Sequence, residues 1–394
     1  MLLVCSFFCN LARNLQVVCM MIECFRRKLA QAKVLRVLAL AIVLGEMALL
    51  GGCDGKTVRV ADADAKDTAN AVPLLILDGD FGSSTDDLFA LLMALNYERE
   101  GKCRLLGVVN DRGADRYAAI PDLMLTYFGR SDVPIGQEHC CEDTTILFID
   151  YVSMTQFRRM GGEPMFPRSL QNYAALPDGW KLYRHLLAGQ ADHSVSVCLL
   201  GFPTALSHLL ESQPDKYSPL NGVDLVRKKV AALYVMGGHW GEGRMDGGYN
   251  LVSMPKATED FFHLWPKEVT VYFSPSIVGQ GINYERDSVI RDISWTDFHP
   301  IKQIYVNYDC NTGQCMWDIL PVMQAVEGND RFSLSEPGYV NFVRVDSMPF
   351  VPDSLGNCRY QLAGDKGWNE AVLRDLRKVT VNCKVVEDEE DCDD

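Results

Sequence analysis

Five short runs rich in Val, Leu and Ile constrain this chain most: PLLILD, LLGVVN, VSVCLLG, VAALYVMGG and EVTVYFS, each closed by a polar residue or glycine. Such runs are long enough for buried strands and too short for buried helices. Between them stand TDDLFALLMALNYE, YAAIPDLMLTYFG, GWKLYRHLLAGQ, TALSHLLESQP and ATEDFFHLW, whose composition and apolar spacing predict helices. Strands alternating with helices predict an α/β fold, a mostly parallel open sheet with helices on both faces. In such sheets ligands bind at the carboxyl ends of the strands. With 394 residues and 48% apolar composition, the chain can bury a core of that size.

The first strand runs straight into a concentration of charge. In LLILDGDFGSSTDDLFALLMAL, residues 74–95, four carboxylates (Asp78, Asp80, Asp86 and Asp87) lie between two apolar segments. Two like charges about 4 Å apart repel by roughly 4 kcal/mol at an effective dielectric near 20, so the stretch calls for a cation. Asp78 and Asp80 fall at the end of the strand, FGSST forms a turn, and Ser84 or Thr85 is placed to cap a helix with Asp86 and Asp87 in its first turn. The helix dipole favours the last two acids but does not account for the first two. An all-oxygen set suits a hard cation, Ca²⁺ or Mg²⁺.

The net charge of −14 argues against nucleic acid as a partner and favours a small molecule, neutral or met through a bound cation. Residues 1–53 contain a basic segment, RRKLAQAKVLR, an apolar stretch, VLALAIVLGEMALL, and LGGC ending at Cys53. That order is a secretory signal, and LGGC resembles the lipobox of bacterial lipoproteins, which implies lipid attachment at Cys53 and a location on a bacterial membrane. Residues 54–71 have the small, polar, acidic composition of a tether. The folded domain is expected over 72–384, followed by an acidic tail at 385–394. Of 14 cysteines, nine follow the leader. None has zinc-ribbon spacing; a Cys310 to Cys315 disulfide is compatible with export, and most of the others read as buried thiols.

LDGDFGSSTDDLFALLMAL resembles the N-terminal signature of the inosine-uridine-type nucleoside hydrolases, DxDxGx(n)DD followed by a helix, in the form with the longer turn. The rest of the chain agrees in order. LLGVVND and DVPIGQ are similar to the second strand and the turn after it, VCLLGFPTALSHLL to the GPLTNLA segment, LYVMGGHW with GGYNLVSMPKA to MGG with EFNxxxDPEA, and GQCMWDILPVMQAV to the segment carrying the last aspartate. The resemblance spans roughly residues 72–345. It implies a Rossmann-like core and Ca²⁺-dependent cleavage of an N-glycosidic bond in a nucleoside or related riboside. By the same resemblance Asp80, Asp87, the Thr204 carbonyl and Asp318 hold the calcium. Asp80 doubles as general base, Asp86, Asn110 and Asn250 grip the ribose, and Asp78 supports the cluster from behind. Relatives of this fold commonly form homodimers or homotetramers, and the same is implied here.

The chain departs from that pattern on the sugar side. Ser84 stands where long-turn relatives often carry an aspartate, Gly248 where EFN has glutamate, Met254 and Pro255 where the helix starts with DP, and Ile277 near a further glutamate. Two other readings follow. A lipid-anchored sugar or nucleoside-binding protein would keep the fold without turnover. LLILDGDFG also resembles the nucleophile motif of haloacid-dehalogenase-like phosphatases, though glycine replaces the expected Thr or Val and the second acid pair follows too soon. Asp318, Asn110 and Thr204 have ordinary readings as a helix cap, a turn former and a helix start. His239, beside Trp240, is the histidine placed to meet a leaving group.

Overall fold

A computed structural model describes residues 72–139, 150–241, 243–308 and 313–383. The leader with Cys53, the tether, the acidic tail, and Cys140, Cys141 and Cys310 lie outside the described residues.

All five apolar runs are strands. Together with six short ones they are β1 (Leu74–Gly79), β2 (Arg104–Asn110), β3 (Ile135–Gln137), β4 (Val195–Leu199), β5 (Val230–Met236), β6 (Thr270–Ser274), β7 (Asn283–Tyr284), β8 (Gln314–Cys315), β9 (Gly338–Val340), β10 (Phe350–Pro352) and β11 (Cys358–Tyr360). Nine form one sheet in the order β10-β9-β11-β6-β5-β4-β1-β2-β3, and β7 pairs with β8 apart from it. From β11 to β3 every pairing is parallel; β9 and β10 add an antiparallel edge.

Both faces of the sheet are covered, because side chains along β1 alternate between two cores. Leu75 and Leu77 join one core with helices Asp86–Arg99, Ala119–Tyr127, Ile319–Glu327 and Lys366–Asn382. Ile76 joins the other with helices Gly179–Ala188, Thr204–Glu211, Gly222–Lys229 and Pro255–Leu264. The helix Asp86–Arg99 is buried from Asp86 through Tyr97. A helix packed on every side needs no polar stripe, which explains its near-continuous apolar sequence.

The order β3-β2-β1-β4-β5-β6 reverses direction between β1 and β4, so the loops leaving these two strands diverge and open a crevice. At its root the strand tips are tied together: Leu200 N–H donates to the Asp78 carbonyl (2.6 Å) and Asp111 N–H to the Gly79 carbonyl (3.0 Å).

Candidate active site

The crevice holds a cavity of about 410 Å³ lined by Asp80, Ser84, Asp86, Leu200, Met236, His239, Tyr249, Asn250, Ser276, Gln280, Gln314, Trp317 and Asp318. Four neighbouring strands, β1, β4, β5 and β6, contribute their carboxyl-terminal loops. Asp80 follows β1, Leu200 follows β4, His239 follows β5 and Ser276 follows β6. Trp317 and Asp318 arrive from far downstream, immediately before the helix Ile319–Glu327.

Asp86, Asp87 and Asp318 each bring a carboxylate oxygen to within 4.8 Å of the others, and all three are buried. Capping does not explain them. Asp318 occupies the N-cap position of its helix without a side-chain cap bond. Thr85, at the N-cap of the first helix, makes none either, and its hydroxyl instead pairs with Tyr305 Oη at 2.9 Å. Asp86 is better satisfied, accepting from Ser84 Oγ and from Trp317 N–H (3.3 Å). Both oxygens of Asp87 are buried without a hydrogen-bond donor at bonding geometry. A buried carboxylate left in that state is costly, and a cation bonded to oxygen relieves it. The three residues therefore fit a hard divalent ion, with no sulfur or nitrogen ligand in the group.

Two glycines make room for this cluster. A Cβ on Gly79 would lie 2.6 Å from Asp87 Oδ1, and one on Gly201 would lie 2.4 Å from Asp111 Oδ2 and 2.6 Å from the Asp80 nitrogen. Burial drives every acid of the cluster above the usual carboxylate range. The Asp80 carboxyl is pushed up to about 7 against the opposing pull of Arg112, and that of Asp86 to about 6 against its hydrogen bond from Ser84. Asp78, Asp87, Asp111 and Asp318 are also raised by burial, and each is raised further by a neighbouring carboxylate.

The residues named from sequence fall into three places. Asp80, Asp86, Asn250 and Asp318 line the cavity, with Asp87 directly behind them in the carboxylate group. Asn250 Nδ2 donates to the carbonyls of Leu200 (2.5 Å) and Met236 (3.2 Å), which leaves its other face to the cavity. Thr204 is the first residue of its helix; its hydroxyl donates to the Asp111 carbonyl (3.3 Å) and its carbonyl accepts from Ser207 Oγ (2.9 Å). Asp78 is fully buried beneath the site and accepts from Tyr183 Oη at 2.9 Å. A carboxylate so enclosed cannot attack a phosphate, which removes the structural basis for the phosphatase reading. Asn110 does not line the cavity. Its Nδ2 is taken by Gln137 Oε1 (2.8 Å) and the Arg112 carbonyl (3.2 Å) in the layer below.

Three groups were not singled out from the sequence. Arg112 is wholly buried, and its Nε and Nη2 donate to the carbonyl (3.0 Å) and Oδ2 (3.2 Å) of Asp80. Tyr151 Oη accepts from Gly82 N–H (3.1 Å) and donates to the Ser84 carbonyl (2.7 Å), clamping the turn between strand and helix. Asp246 accepts from Nδ1 of His239, a cavity-lining residue, at 2.5 Å. The adjacency of Arg112 to Asn110 at a strand end was its only visible clue. Tyr151 and Asp246 left none, because their partners are set by loop paths.

No family profile and no curated protein matches the sequence. Solved structures do match in fold. An inosine-uridine preferring nucleoside hydrolase from Bacillus anthracis is 15% identical with a TM-score of 0.55, over 78% of this chain and 100% of that one. The inosine-guanosine nucleoside hydrolase is 16% identical with a TM-score of 0.56, over 78% and 98%. The type III effector XopQ, solved with adenosine diphosphate ribose, is 14% identical with a TM-score of 0.55, over 79% and 94%. At these identities the likeness establishes the fold: a mostly parallel α/β sheet of the kind nucleoside hydrolases share.

Proposed function

We propose that the protein hydrolyses the N-glycosidic bond of a ribonucleoside or related riboside with the help of Ca²⁺, releasing base and ribose. The observation that carries this reading is the buried carboxylate of Asp87, with no donor at bonding geometry on either oxygen, grouped with Asp86 and Asp318, which line the cavity at the switch point. By the sequence resemblance Asp80, Asp87, Asp318 and the Thr204 carbonyl would hold the ion; Asp87 and Asp318 lie in the buried carboxylate group that Asp86 completes, which supports that reading. When bound, calcium supplies positive charge that orders sugar hydroxyls and eases loss of a proton from water. Asp80 receives that proton. Asp86 and Asn250 orient the ribose hydroxyls, and the surrounding carboxylates stabilise positive charge developing on the sugar as the bond to the base breaks. Tyr249 and Trp317 present aromatic surface to the base; Trp317 is held by its Nε1–H donating to the Ser276 carbonyl at 2.8 Å.

No lysine or arginine lines the cavity among the described residues, and three aspartates do. We therefore expect uncharged ribosides to be preferred over 5′-phosphorylated ones. The test is release of ribose from p-nitrophenyl riboside, nucleosides and nucleoside 5′-phosphates, with and without EDTA. Calcium-dependent release is expected, lowered about 10²- to 10⁴-fold in Asp80→Asn. Phosphate release that requires Mg²⁺ sinks the proposal.

A riboside-binding protein without turnover is the second reading, and Gly248 favours it. At φ +67°, with a Cβ position 3.1 Å from the Gly238 nitrogen, this backbone disfavours the glutamate that the family pattern carries there. Tight binding of nucleoside without ribose release selects this alternative.

From the sequence alone we further propose that Cys53 carries a lipid anchoring the protein to a bacterial membrane, and that the domain forms a homodimer or homotetramer. Labelled palmitate incorporated by the wild type and lost in Cys53→Ser tests the first, and light scattering the second. Among the described residues no helix is long and apolar enough to cross a membrane.

A further inference from the structure

We infer that the protein has a second ligand site, separate from the acid-lined cavity, which receives a phosphate group through Arg116 and Arg168. A cavity of about 490 Å³ lies beside the segment that follows Tyr151, and Arg116, Asp150, Ser153, Gln156, Arg168 and Gln171 are among the residues that line it. That volume falls in the roughly 300–1,000 Å³ range of small-molecule sites, so there is room for an organic body on the phosphate. Charge separates the two cavities. Among the described residues the first is lined by three aspartates and no arginine or lysine, the second by two arginines and one aspartate.

Both guanidinium groups are seated without being neutralised. That of Arg116 lies 4.6 Å from the Tyr117 ring centroid, and its Nη2 donates to Tyr117 Oη at 2.8 Å. That of Arg168 lies 5.7 Å from the Tyr173 ring centroid, and its Nη1 donates to Tyr173 Oη at 3.1 Å. Tyr173 is fixed in turn, because its Oη donates to Oδ2 of the buried Asp122 at 2.7 Å. Asp122 also accepts from the N–H groups of Ser169 and Leu170, both at 3.1 Å, which pins the loop that carries Arg168. Among the described residues neither arginine meets a carboxylate, and most of their N–H donors are unengaged. Asp150, the one acid of the cavity, has its Oδ1 on the Val152 N–H at 3.2 Å. In a chain of net charge −14, two oriented guanidinium forks without acid partners favour an oxyanion, and their planar geometry matches phosphate.

The second cavity also touches the turn that shapes the first. Val152 lines it, while the adjacent Tyr151 donates to the carbonyl of Ser84, which lines the acid-lined cavity. A Cβ on Gly82, in that turn, would lie 2.4 Å from the Tyr117 ring and 3.1 Å from the Val152 side chain. The Tyr117 ring centroid is also 5.2 Å from the guanidinium of Arg112, which donates to Asp80. A ligand that holds Arg116 and the Tyr151–Val152 segment in place therefore stiffens the turn after β1. Resting on the reading above, that stiffening tightens Ca²⁺ binding, and by reciprocity Ca²⁺ tightens binding of the phosphate.

Titration calorimetry on the full chain in EDTA tests the site, with inorganic phosphate, ribose 5-phosphate and uridine 5′-monophosphate as separate probes. We expect saturable binding of at least one probe, weakened about tenfold or more in Arg116→Ala and in Arg168→Ala. Equal affinity for all three assigns the site to free phosphate, and tighter binding of an ester assigns it to that ester. The site is refuted if no probe binds, or if both alanine variants bind as the wild type does. Binding that Asp80→Asn strengthens and the arginine variants leave alone puts the anion in the acid-lined cavity instead, and also refutes it. Repeating the titrations in Ca²⁺ measures the coupling, expected to be about fivefold or more and to vanish in Arg116→Ala. Probe affinity that is the same with and without Ca²⁺ overturns the coupling. A wild type that neither binds Ca²⁺ nor releases ribose overturns the hydrolase reading, while the titrations in EDTA still decide whether the phosphate site exists.

Discussion

Asp87 and the glycines beneath the cluster set the tolerances of this site at the scale of single residues. Gly201 lies against Asp80 and Asp111 so closely that one added methyl would meet oxygen or nitrogen inside 3 Å. Gly201→Ala must push those groups apart, and we expect it to cost about 1–3 kcal/mol of stability and to weaken Ca²⁺ binding. Thermal melts with and without Ca²⁺ check both effects; an alanine variant with wild-type melting temperature and affinity would show that the cluster has slack. The acids themselves were legible from LLILDGDFGSSTDD, since charge between two buried runs needs a reason. Which acid faces which partner was not. Asp86 meets Trp317 at a separation of 231 residues and Asp80 meets Arg112 at a separation of 32. Spacing in the sequence carries no information about such meetings.

Among the elements, the turn between β1 and the first helix is the part whose shape the site most depends on. Gly82 adopts φ +115°, with its Cβ position only 2.4 Å from the Tyr117 ring, so the turn admits no side chain there. Tyr151 then ties both sides of it through one hydroxyl. Tyr151→Phe leaves a buried N–H and a carbonyl without that partner, and we expect a loss of about 1–3 kcal/mol in denaturant unfolding together with weaker metal binding. Equal stability of the phenylalanine variant would mean that the turn holds itself. The FGSST composition announced a turn and a cap. The cap failed because Thr85 turns its hydroxyl to Tyr305, a tertiary partner that outcompetes the local one. The main strands and helices were legible because periodicity reports burial directly. The strands β9, β10 and β11 are three residues each, too short for any period to register.

For the whole molecule, the buried charge couples folding to pH and to calcium. Asp80 and Asp86 have folded-state carboxyls raised to about 7 and about 6, above the ordinary 3.8. The folded protein therefore holds protons that the unfolded chain releases, and without metal its stability falls as pH rises from about 4 to about 7. His299 acts in the opposite sense. Burial holds it neutral down to about 3, beside Cys383 Sγ at 3.4 Å, so its contribution is lost as pH falls below about 6.5. The difference between melts in Ca²⁺ and in EDTA isolates the acid cluster. We expect the stabilisation by Ca²⁺ to be small at pH 5 and to grow toward pH 8, because protons and metal compete for the same oxygens. A stabilisation independent of pH would place the ion elsewhere.

The amino-acid sequence by itself determined the α/β class, the five long strands and the helices between them, and the set of acids gathered at the first strand's end. These follow from local rules: burial imposes periodicity, and concentrated charge between buried segments demands a counter-charge. Only the tertiary structure decided that β1 lies beside β4 at a switch point, that Asn110 supports Arg112 beneath the cavity, and that Asp86, Asp87 and Asp318 converge while Asp80 meets a buried guanidinium. Those arrangements depend on which loops the sheet order brings together, and a through-space charge interaction falls off with distance in space, which position along the chain does not report.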